Sequence, residues 1–287
     1  MKLLDAVLPP DHNIYAFSDT HEEYIGCADD KLDEFITTVH DDPIGYSMFG
    51  GDAFETQYVS HKYYDPVTIK KDVSSGNPTI AAAQIERSAE RHRPIKDKLL
   101  AWLIGNHELR VIGIVNLGLN LMKEIGRPEI YAGYSCKLAI KDDKGRTRYK
   151  IYSNHGKNIA ESRAGTERQR EANRAASLQR ALAPIYGDCI VMVMGHTHRL
   201  IVVKPLRRLY LVDDGRKIKQ KYITTKPSDD YIDPENRYYI NSGSFFRSQM
   251  LDIDTYAERN MYPPTEMGYA KIIVRDYQVV DVEKVTV

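Results

Sequence analysis

Short segments rich in glycine, aspartate and histidine recur along this chain, and each follows a run of residues typical of a buried β-strand. The segments are Asp19-Thr20-His21, Gly51-Asp52, Gly105-Asn106-His107-Glu108, His155-Gly156 and Gly195-His196-Thr197-His198. Strands alternate with helices along the sequence, which predicts an α/β fold with helices outside the sheets. Because ligands bind at the carboxyl ends of the strands in such folds, we expect these segments to meet at one site.

Hydrophobic spacing predicts the elements around these segments. The predicted strands are 13–18, 46–49, 99–104, 131–140, 149–153 and 189–194, and the predicted helices are 29–39, 111–125 and 161–182. Between residues 55 and 98 the chain reads as irregular and helical, and Pro94 is expected to kink or end the helix. Turn signals at Lys144-Gly145 and Asp214-Gly215 predict reversals of strand direction.

Length and charge narrow the class of protein. The chain has 287 residues, which suits one large α/β domain or one domain with a small addition. Its 40 basic and 40 acidic side chains give no net charge, which argues against binding nucleic acid mainly by bulk electrostatics and leaves a local basic patch open. Three scattered cysteines without a C-x-x-C pair indicate a reducing compartment and no disulfide framework.

Neither a signal peptide nor a membrane span is predicted. The N-terminal stretch MKLLDAVLPPDHN has too short an apolar run for a signal peptide. No apolar stretch approaches the roughly 20 residues of a membrane-spanning helix. We therefore expect a soluble cytoplasmic protein that does not bind membranes, and the sequence indicates no particular oligomeric state.

The recurrent segments offer two aspartate carboxylates, one asparagine amide oxygen and five imidazoles. This mixture suits zinc, manganese or iron rather than calcium or magnesium alone. Side chains two residues apart on extended chain point the same way, so Asp19 with His21, and His196 with His198, can each present two groups to one ion. A single histidine is more often a surface or core residue, but the joint pattern predicts a metal site. The histidines outside the segments, predicted not to be ligands, are His12, His40, His61 and His92.

Taken together, the segments resemble the signature of calcineurin-like metallophosphoesterases: D-x-H, G-D, G-N-H-[DE], H and G-H-x-H. The stretch Asn241-Ser242-Gly243-Ser244 also resembles a later strand-end loop of that family. The resemblance implies the metallo-dependent phosphatase fold, a four-layer αββα sandwich with two mixed β-sheets. It also implies hydrolysis of phosphoester bonds with the help of two divalent metal ions.

The same resemblance assigns roles to single residues. The implied metal ligands are Asp19, His21 and His198 for one ion, Asn106, His155 and His196 for the other, and Asp52 for both. His107 would be a catalytic histidine that binds no metal, and Asp52 counts as catalytic because it would bridge the ions. Manganese is the expected metal, with iron, zinc and nickel as alternatives.

Residues 94–98, 256–259 and 262–264 resemble phage- and prophage-borne members of the family, which would place the protein in a host cytoplasm. We expect one domain over residues 1–287, with an insertion around 58–77 and a basic hairpin region around 204–226. The insertion either shapes substrate specificity or is an ordinary surface loop, and we favour specificity because it follows a ligand directly. The hairpin region either binds nucleic-acid strands or is a plain exposed ribbon.

The substrate class stays open at this level. A phosphodiesterase is the expected activity; a nuclease acting on DNA or RNA, a phosphomonoesterase acting on a small nucleotide, and a metal-stabilised binding module without chemistry are alternatives. Arg110 is either a phosphate contact, since guanidinium matches phosphate oxygens, or a surface arginine at a helix start. Glu108 either orients His107 or pairs with Arg110.

Three arginines at helical spacing offer a route for nucleic acid. Arg163, Arg170 and Arg174 would share one face of the helix after His155 and could follow a phosphate backbone. Because acidic residues precede two of them at the spacing of helical ion pairs, we interpret the face as a solvated one.

Overall fold

The computed structural model describes residues 1–56, 69–70, 80–160, 162–206, 209–222, 230–253, 255–259 and 261–287. The strands are β1 (Lys2–Val7), β2 (His12–Phe17), β3 (Gly45–Phe49), β4 (Leu99–Leu103), β5 (Tyr131–Gly133), β6 (Ser135–Lys141), β7 (Thr147–Asn154), β8 (Val191–Met194), β9 (Leu200–Val203), β10 (Leu209–Asp213), β11 (Ile218–Tyr222), β12 (Tyr238–Ser242), β13 (Gly268–Arg275) and β14 (Gln278–Thr286). The α-helices are α1 (Asp29–Asp41), α2 (Ile80–His92), α3 (Asn106–Leu109), α4 (Leu117–Ile125), α5 (Glu167–Leu182) and α6 (Tyr256–Arg259). Single 3-10 turns cover Arg93–Lys98, Pro128–Ile130 and Pro234–Asn236.

Among the described residues, the strands form two six-stranded sheets and one two-stranded ribbon. The first sheet has the order β1-β6-β7-β8-β12-β9, and the second has the order β14-β13-β2-β3-β4-β5. Strands β7, β8 and β12 run parallel in the first sheet, as do β2, β3, β4 and β5 in the second, and antiparallel strands complete both. The predicted α/β class with two mixed sheets is therefore confirmed.

Alternation along single strands explains the layers. In β8, Val191 and Val193 belong to the core between the two sheets, whereas Met192 and Met194 belong to the cluster that includes Leu178 of α5. Successive side chains of a strand point to opposite faces, so a strand that is apolar at every position is covered on both sides. A third cluster packs α1, α2 and α4 on the outer face of the second sheet. These three clusters separate the four layers of the predicted sandwich.

The sequence of helix α1 explains why this helix covers the second sheet. The buried residues of α1 are Leu32, Phe35, Ile36 and Val39, which recur at the spacing of one helical face. Phe35 packs against Phe17 of β2, with ring centroids 4.5 Å apart. Burying an aromatic or aliphatic side chain of this size contributes on the order of 2 kcal/mol, so this face holds α1 on the sheet.

Several element boundaries differ from the prediction. Residues 131–140 were expected as one strand, but β5 belongs to the second sheet and β6 to the first. The chain crosses between the sheets at Gly133, whose φ of +66° breaks the extended run. The helix expected at 111–125 begins at Leu117, because the Asn116 side chain caps it by accepting a hydrogen bond from the Leu119 amide at 3.0 Å.

The other boundaries follow the turn and capping residues. Helix α5 begins at Glu167 rather than at residue 161, which itself lies outside the described residues, because Thr166 caps the helix. Strand β1 was not predicted at all. The hairpins at Gly145 and Gly215 are present, and Pro94 lies at the start of the 3-10 turn that ends α2, as expected. Most of the predicted insertion, apart from residues 69–70, lies outside the described residues, as do 207–208 and 223–226 of the hairpin region. Of the helices that the structure describes, none has the length and apolarity needed to cross a membrane.

Candidate metal centre

All seven predicted ligands lie just beyond the carboxyl ends of strands from both sheets. Strands β2, β3 and β4 of the second sheet lead into the segments that carry Asp19, Asp52 and Asn106, and β7 and β8 of the first sheet lead into those that carry His155 and His196. The structure brings these residues together at one edge of the sandwich. The buried members are Asp19, His21, Asp52 and His155, and the partly exposed members are Asn106, His196 and His198.

The first group of donor atoms comes from Asp19, His21 and His198, whose ligand atoms all lie within 4.8 Å of one another. The Nε2 atoms of His21 and His198 are 3.3 Å apart, and His198 Nε2 lies 3.5 Å from Asp19 Oδ1. Among the described residues, this Asp19 oxygen is buried and has no hydrogen-bond donor. A buried carboxylate oxygen without a donor needs a positive partner, so the group is suited to a cation.

The second group comes from Asp52, His155 and His196, again with ligand atoms within 4.8 Å of one another. His155 Nε2 lies 3.2 Å from Asp52 Oδ2 and 3.3 Å from His196 Nδ1. Asn106 adds its Oδ1, which lies 3.0 Å from His155 Nε2 and 2.8 Å from His196 Nδ1. Carboxylate, amide oxygen and imidazole together form a donor set for a divalent transition metal.

Asp52 lies between the two groups. It belongs to the second group and also to a set with His21 and His107, whose ligand atoms likewise lie within 4.8 Å of one another. This carboxylate is almost fully buried. Burial disfavours its charge, but His155 and His107 outweigh the burial and hold the pKa of Asp52 well below its ordinary value. The position of Asp52 is therefore compatible with contact to two ions at once.

The tautomer of His155 tests whether a metal fits the second group. Its Nδ1 lies 2.9 Å from the Gly50 carbonyl and must donate to it, which leaves the Nε2 lone pair directed at Asp52 and Asn106. Three acceptors thus converge on one point, an arrangement that only a proton or a cation stabilises. Burial opposes a charge on His155, but Asp52 outweighs it and raises the pKa of His155 to about 9. The residues fit a metal ion.

Five of the seven predicted ligands have left-handed backbone, where side chains other than glycine are uncommon. Their φ angles are +52° for Asp19, +44° for His21, +57° for Asp52, +72° for His196 and +53° for His198. Such conformations cost on the order of 1–3 kcal/mol each and persist only where the surrounding structure imposes them. This turn geometry directs the side chains inward directly after each strand.

Two glycines of the segments allow the close approach that the ligands need. A Cβ atom on Gly105 would overlap Asp52 Oδ1, and a Cβ atom on Gly195 would lie 2.8 Å from Asp19 Oδ2. The backbone amide of His196, directly after Gly195, donates to Asp19 Oδ2 at 2.9 Å. Both glycines therefore let backbone pack directly on a ligand carboxylate.

His107 and Glu55 form a pair at the side of the centre, and the sequence reasoning did not identify Glu55. One Glu55 carboxylate oxygen, Oε2, lies 2.7 Å from His21 Nδ1 and 3.3 Å from His107 Nδ1. Burial opposes a charge on His107, but Glu55 and Asp52 outweigh it and raise the pKa of His107 to about 10. Burial also opposes the charge on Glu55, but His107 and His21 outweigh it and lower the pKa of Glu55. Glu55 thus fixes the Nδ1 side of a ligand and of the predicted catalytic histidine.

Glu108 has neither of its expected partners. Its buried carboxylate accepts hydrogen bonds from the backbone amides of Ala53 at 2.7 Å and Gly105 at 2.8 Å. It therefore holds the segment after Asp52 against the segment before Asn106, which is a structural role. The expectation that Glu108 orients His107 or pairs with Arg110 is wrong.

Arg110 lies against the His107 ring. Its Nη1 is 3.1 Å from His107 Nδ1 and its Nη2 is 3.0 Å from His107 Nε2. The guanidinium is partly exposed at the mouth of the centre, next to the side of His107 that faces the predicted ligands. The contact of Arg110 with a substrate phosphate therefore stays a prediction.

The end of β12 and the loop after it support Asp19 from behind. Ser18 Oγ donates to Asp19 Oδ2 at 2.5 Å and contacts Ser242 Oγ at 2.7 Å. Asn241 donates to Thr197 Oγ1 at 2.6 Å, between the two histidines that follow β8. The stretch from Asn241 to Ser244 therefore positions ligands and does not itself reach the donor groups.

The histidines predicted not to be ligands have other partners where the structure describes them. His92 Nε2 lies 2.9 Å from Glu22 Oε1, and His12 Nε2 lies 2.6 Å from the Tyr149 hydroxyl. His40 is exposed beside Asp41. His61 lies outside the described residues.

Comparisons with known proteins add little to this geometry. No protein-family model matches the chain, and no curated protein matches it. Among solved structures, a conserved uncharacterized protein of Streptococcus pneumoniae, titled a predicted phosphoesterase, is similar over 96% of this chain and 98% of its own, with 14% identity and a TM-score of 0.30. A metallophosphoesterase from Sphaerobacter thermophilus is similar over 96% of this chain and 88% of its own, with 13% identity and a TM-score of 0.37. Likenesses this weak assign no activity to this chain.

The left-handed backbone predicts an unusual order of stability at His198. In metal-free protein, His198→Gly should be more stable than His198→Ala by about 1 kcal/mol, because alanine is strained at a φ of +53° and glycine is not. Denaturant unfolding in the presence of a chelator measures the difference. The matched control is His40 in the last turn of α1, where alanine should be the more stable substitution by about 1 kcal/mol. The same order at both positions would contradict the strained geometry.

The contacts of Glu55 predict a loss of metal affinity when its charge is removed. Glu55→Gln should weaken metal binding by about 10- to 100-fold, because the acceptor that orients His21 becomes neutral. Metal titration followed by calorimetry measures this. The control is Glu34→Gln, which removes a charge on the exposed face of α1 and should leave the metal affinity unchanged. If both variants bind metal equally tightly, Glu55 does not contribute to metal binding at the centre.

Proposed function

We propose that this protein is a two-metal phosphoesterase of the calcineurin-like type, with phosphodiesters as its substrates. The observation that carries the proposal is the convergence of two donor groups around one buried carboxylate, Asp52, with His107 beside them. A site of this kind exceeds what a structural metal needs, because a closed structural site has no use for a protonated imidazole at its edge. This argues for chemistry rather than for a metal-stabilised binding module.

The residues that would hold one ion are Asp19, His21 and His198, those that would hold the other are Asn106, His155 and His196, and Asp52 would contact both. When bound, two divalent ions supply a hydroxide at neutral pH and positive charge for the phosphoryl oxygens. Manganese is the proposed metal, since the donor set is neither soft nor purely oxygen. The proposal includes three sequence-based expectations. The chain forms a single domain, it lies in the cytoplasm, and it resembles phage-type members of the family.

His107 is the proton donor in this proposal. Glu55 holds its Nδ1 side, while its Nε2 lies 3.9 Å from Asp52 Oδ2 and so faces the centre. The carboxylates of Glu55 and Asp52 raise the pKa of His107, and a protonated imidazole in this place could give a proton to the leaving oxygen. The Arg110 guanidinium lies next to Nε2 and is repelled by a protonated His107. This repulsion favours contact of the Arg110 guanidinium with a substrate phosphate.

A nuclease is the second candidate, and the ribbon of β10 and β11 favours it. Tyr210 faces Lys221 across the ribbon, and both strands are largely exposed. The Lys219 ammonium pairs with Asp214, whereas Lys221 forms no ion pair with another described residue. Exposed tyrosines and lysines on one ribbon match what single-stranded nucleic acid requires.

A substrate panel tests the proposed function. With manganese added, a generic phosphodiester should be hydrolysed faster than the matching monoester, and a chelator should abolish both rates. Asp52→Asn should lower the affinity for both ions and nearly abolish turnover, because the shared ligand loses its charge. Wild-type protein that hydrolyses no phosphoester with manganese, iron, zinc or nickel would refute the proposal, and a monoester preference with every metal would refute the phosphodiesterase assignment.

Removal of His107 should separate proton donation from metal binding. His107→Ala should keep its metal content and lose about 100- to 10,000-fold in rate on an alkyl ester, the usual contribution of a general acid. The loss should be smaller on a nitrophenyl ester, whose leaving group departs without a proton. Metal analysis and paired rate measurements decide this. Equal losses on the two esters would leave charge stabilisation as the role of His107.

A further inference from the structure

A groove of about 490 Å³ runs between α5 and the segment that precedes it. The polar residues that line it are Ser162, Arg163, Asn173, Ser177 and Arg180, with alanines between them. The helix contributes residues 173, 177 and 180, which share one face because they are spaced by one helical turn. The groove is open to solvent along its length and belongs to neither donor group of the metal centre.

The groove is cationic. Neither Arg163 nor Arg180 forms an ion pair or hydrogen bond with another described residue, and no acidic side chain of the described residues lines the groove. Two arginines elsewhere on the same helix, Arg170 and Arg174, both bind Glu167 at 2.7 Å. The acidic pairing expected from the sequence is present for Arg170 and Arg174, but Arg174 is buried, so the expectation of a solvated face is wrong for that residue. The pairing does not extend to Arg163, which precedes the helix and lines the groove.

Hydroxyl donors accompany the two guanidinium groups. Ser162 Oγ accepts hydrogen bonds from Asn173 Nδ2 at 2.8 Å and from the Ala164 amide at 3.3 Å. With its lone pairs engaged, this hydroxyl has its hydrogen available to a ligand. Guanidinium and hydroxyl donors around one groove are suited to phosphate oxygens.

The connection from β7 to β8 places the groove relative to the metal centre. These strands are parallel neighbours, so α5 between them must run back along the sheet from the edge where His155 lies. Helix α5 therefore begins at the edge of the metal centre. At 1.5 Å per residue, Asn173 lies roughly 9 Å and Arg180 roughly 20 Å along the helix from Glu167. The groove thus leads away from the metal centre.

We propose that this groove binds backbone phosphates of a nucleic-acid strand whose scissile phosphodiester lies at the metal centre. The inference rests on the proposed function and names its substrate class. The groove residues on α5 lie beyond its first turn, so we expect them to contact a strand of about four or more nucleotides rather than a mononucleotide held at the metals. An open groove also suits a strand that extends past both ends, while a small substrate would call for an enclosed pocket.

Binding to a labelled strand tests the groove without catalysis. The probe is a fluorescein-labelled 12-nucleotide oligothymidylate, measured by anisotropy with wild-type full-length protein in a chelator. Arg163→Gln and Arg180→Gln should each raise Kd about 3- to 10-fold and reduce the salt dependence of binding by about 0.7 in the log–log slope. Arg168→Gln is the matched control, because Arg168 is an exposed arginine of the same helix that does not line the groove. Its Kd should stay within about twofold of wild type.

A kinetic arm then distinguishes the groove from the metal centre. With manganese, the two groove variants should raise KM for the oligonucleotide several-fold more than KM for bis-nitrophenyl phosphate. If the groove variants lose strand binding but wild-type protein hydrolyses no phosphoester, the proposed function is overturned. The assignment of the groove as a strand-binding site would then still hold. Equal Kd values in all variants, or no binding by wild type, would overturn the groove whatever the hydrolysis shows. If a dinucleotide binds as tightly as the 12-mer, and inorganic phosphate displaces both fully, the groove does not bind a strand. It would then be a site for one small anion.

Discussion

A buried carboxylate that lies between two groups of candidate metal ligands is the constraint on which this structure depends. Asp52 is almost completely excluded from solvent, yet it lies among imidazoles and oxygens that are themselves acceptors once His155 donates to Gly50. An uncompensated charge in such a place is very costly, so the arrangement needs a proton or a cation among its acceptor atoms. The surrounding features follow from that need: glycines against the carboxylates, a glutamate behind two histidines, and serines behind Asp19.

The two sheets supply the geometry that the centre requires. Parallel strands from each sheet end at one edge, so ligands that are far apart in sequence meet there without long side chains. The chain then turns sharply through left-handed residues, and Asp52, His196 and His198 have φ angles that glycine would adopt more easily. Their retention at a cost in backbone energy indicates that the side chains matter more than the fit of the turn. Stability is exchanged for a preorganised site, as is usual at functional positions.

The convergence of the predicted ligands at one edge could be predicted because each of their segments combines two signals, an apolar run of strand length and distinctive residues directly after it. Glu55 carries only half of that pattern, since a glutamate three residues beyond a strand-end segment is typical of any surface loop. The division of residues 131–140 between two sheets was not readable either, because alternation looks the same in whichever sheet a strand lies. The start of α4 at Leu117 depended on one capping asparagine inside a run whose apolar spacing suited a longer helix. Single local contacts decide such features, and periodicity does not report them.

The central claim is that two metal ions bind side by side and share Asp52. Crystals grown with manganese, with diffraction recorded where manganese scatters anomalously, test it most directly. The account predicts two anomalous peaks in each chain, roughly 3.5–4 Å apart, with the Asp52 carboxylate between them. A single peak at saturating manganese, or two peaks of which Asp52 contacts only one, would contradict it.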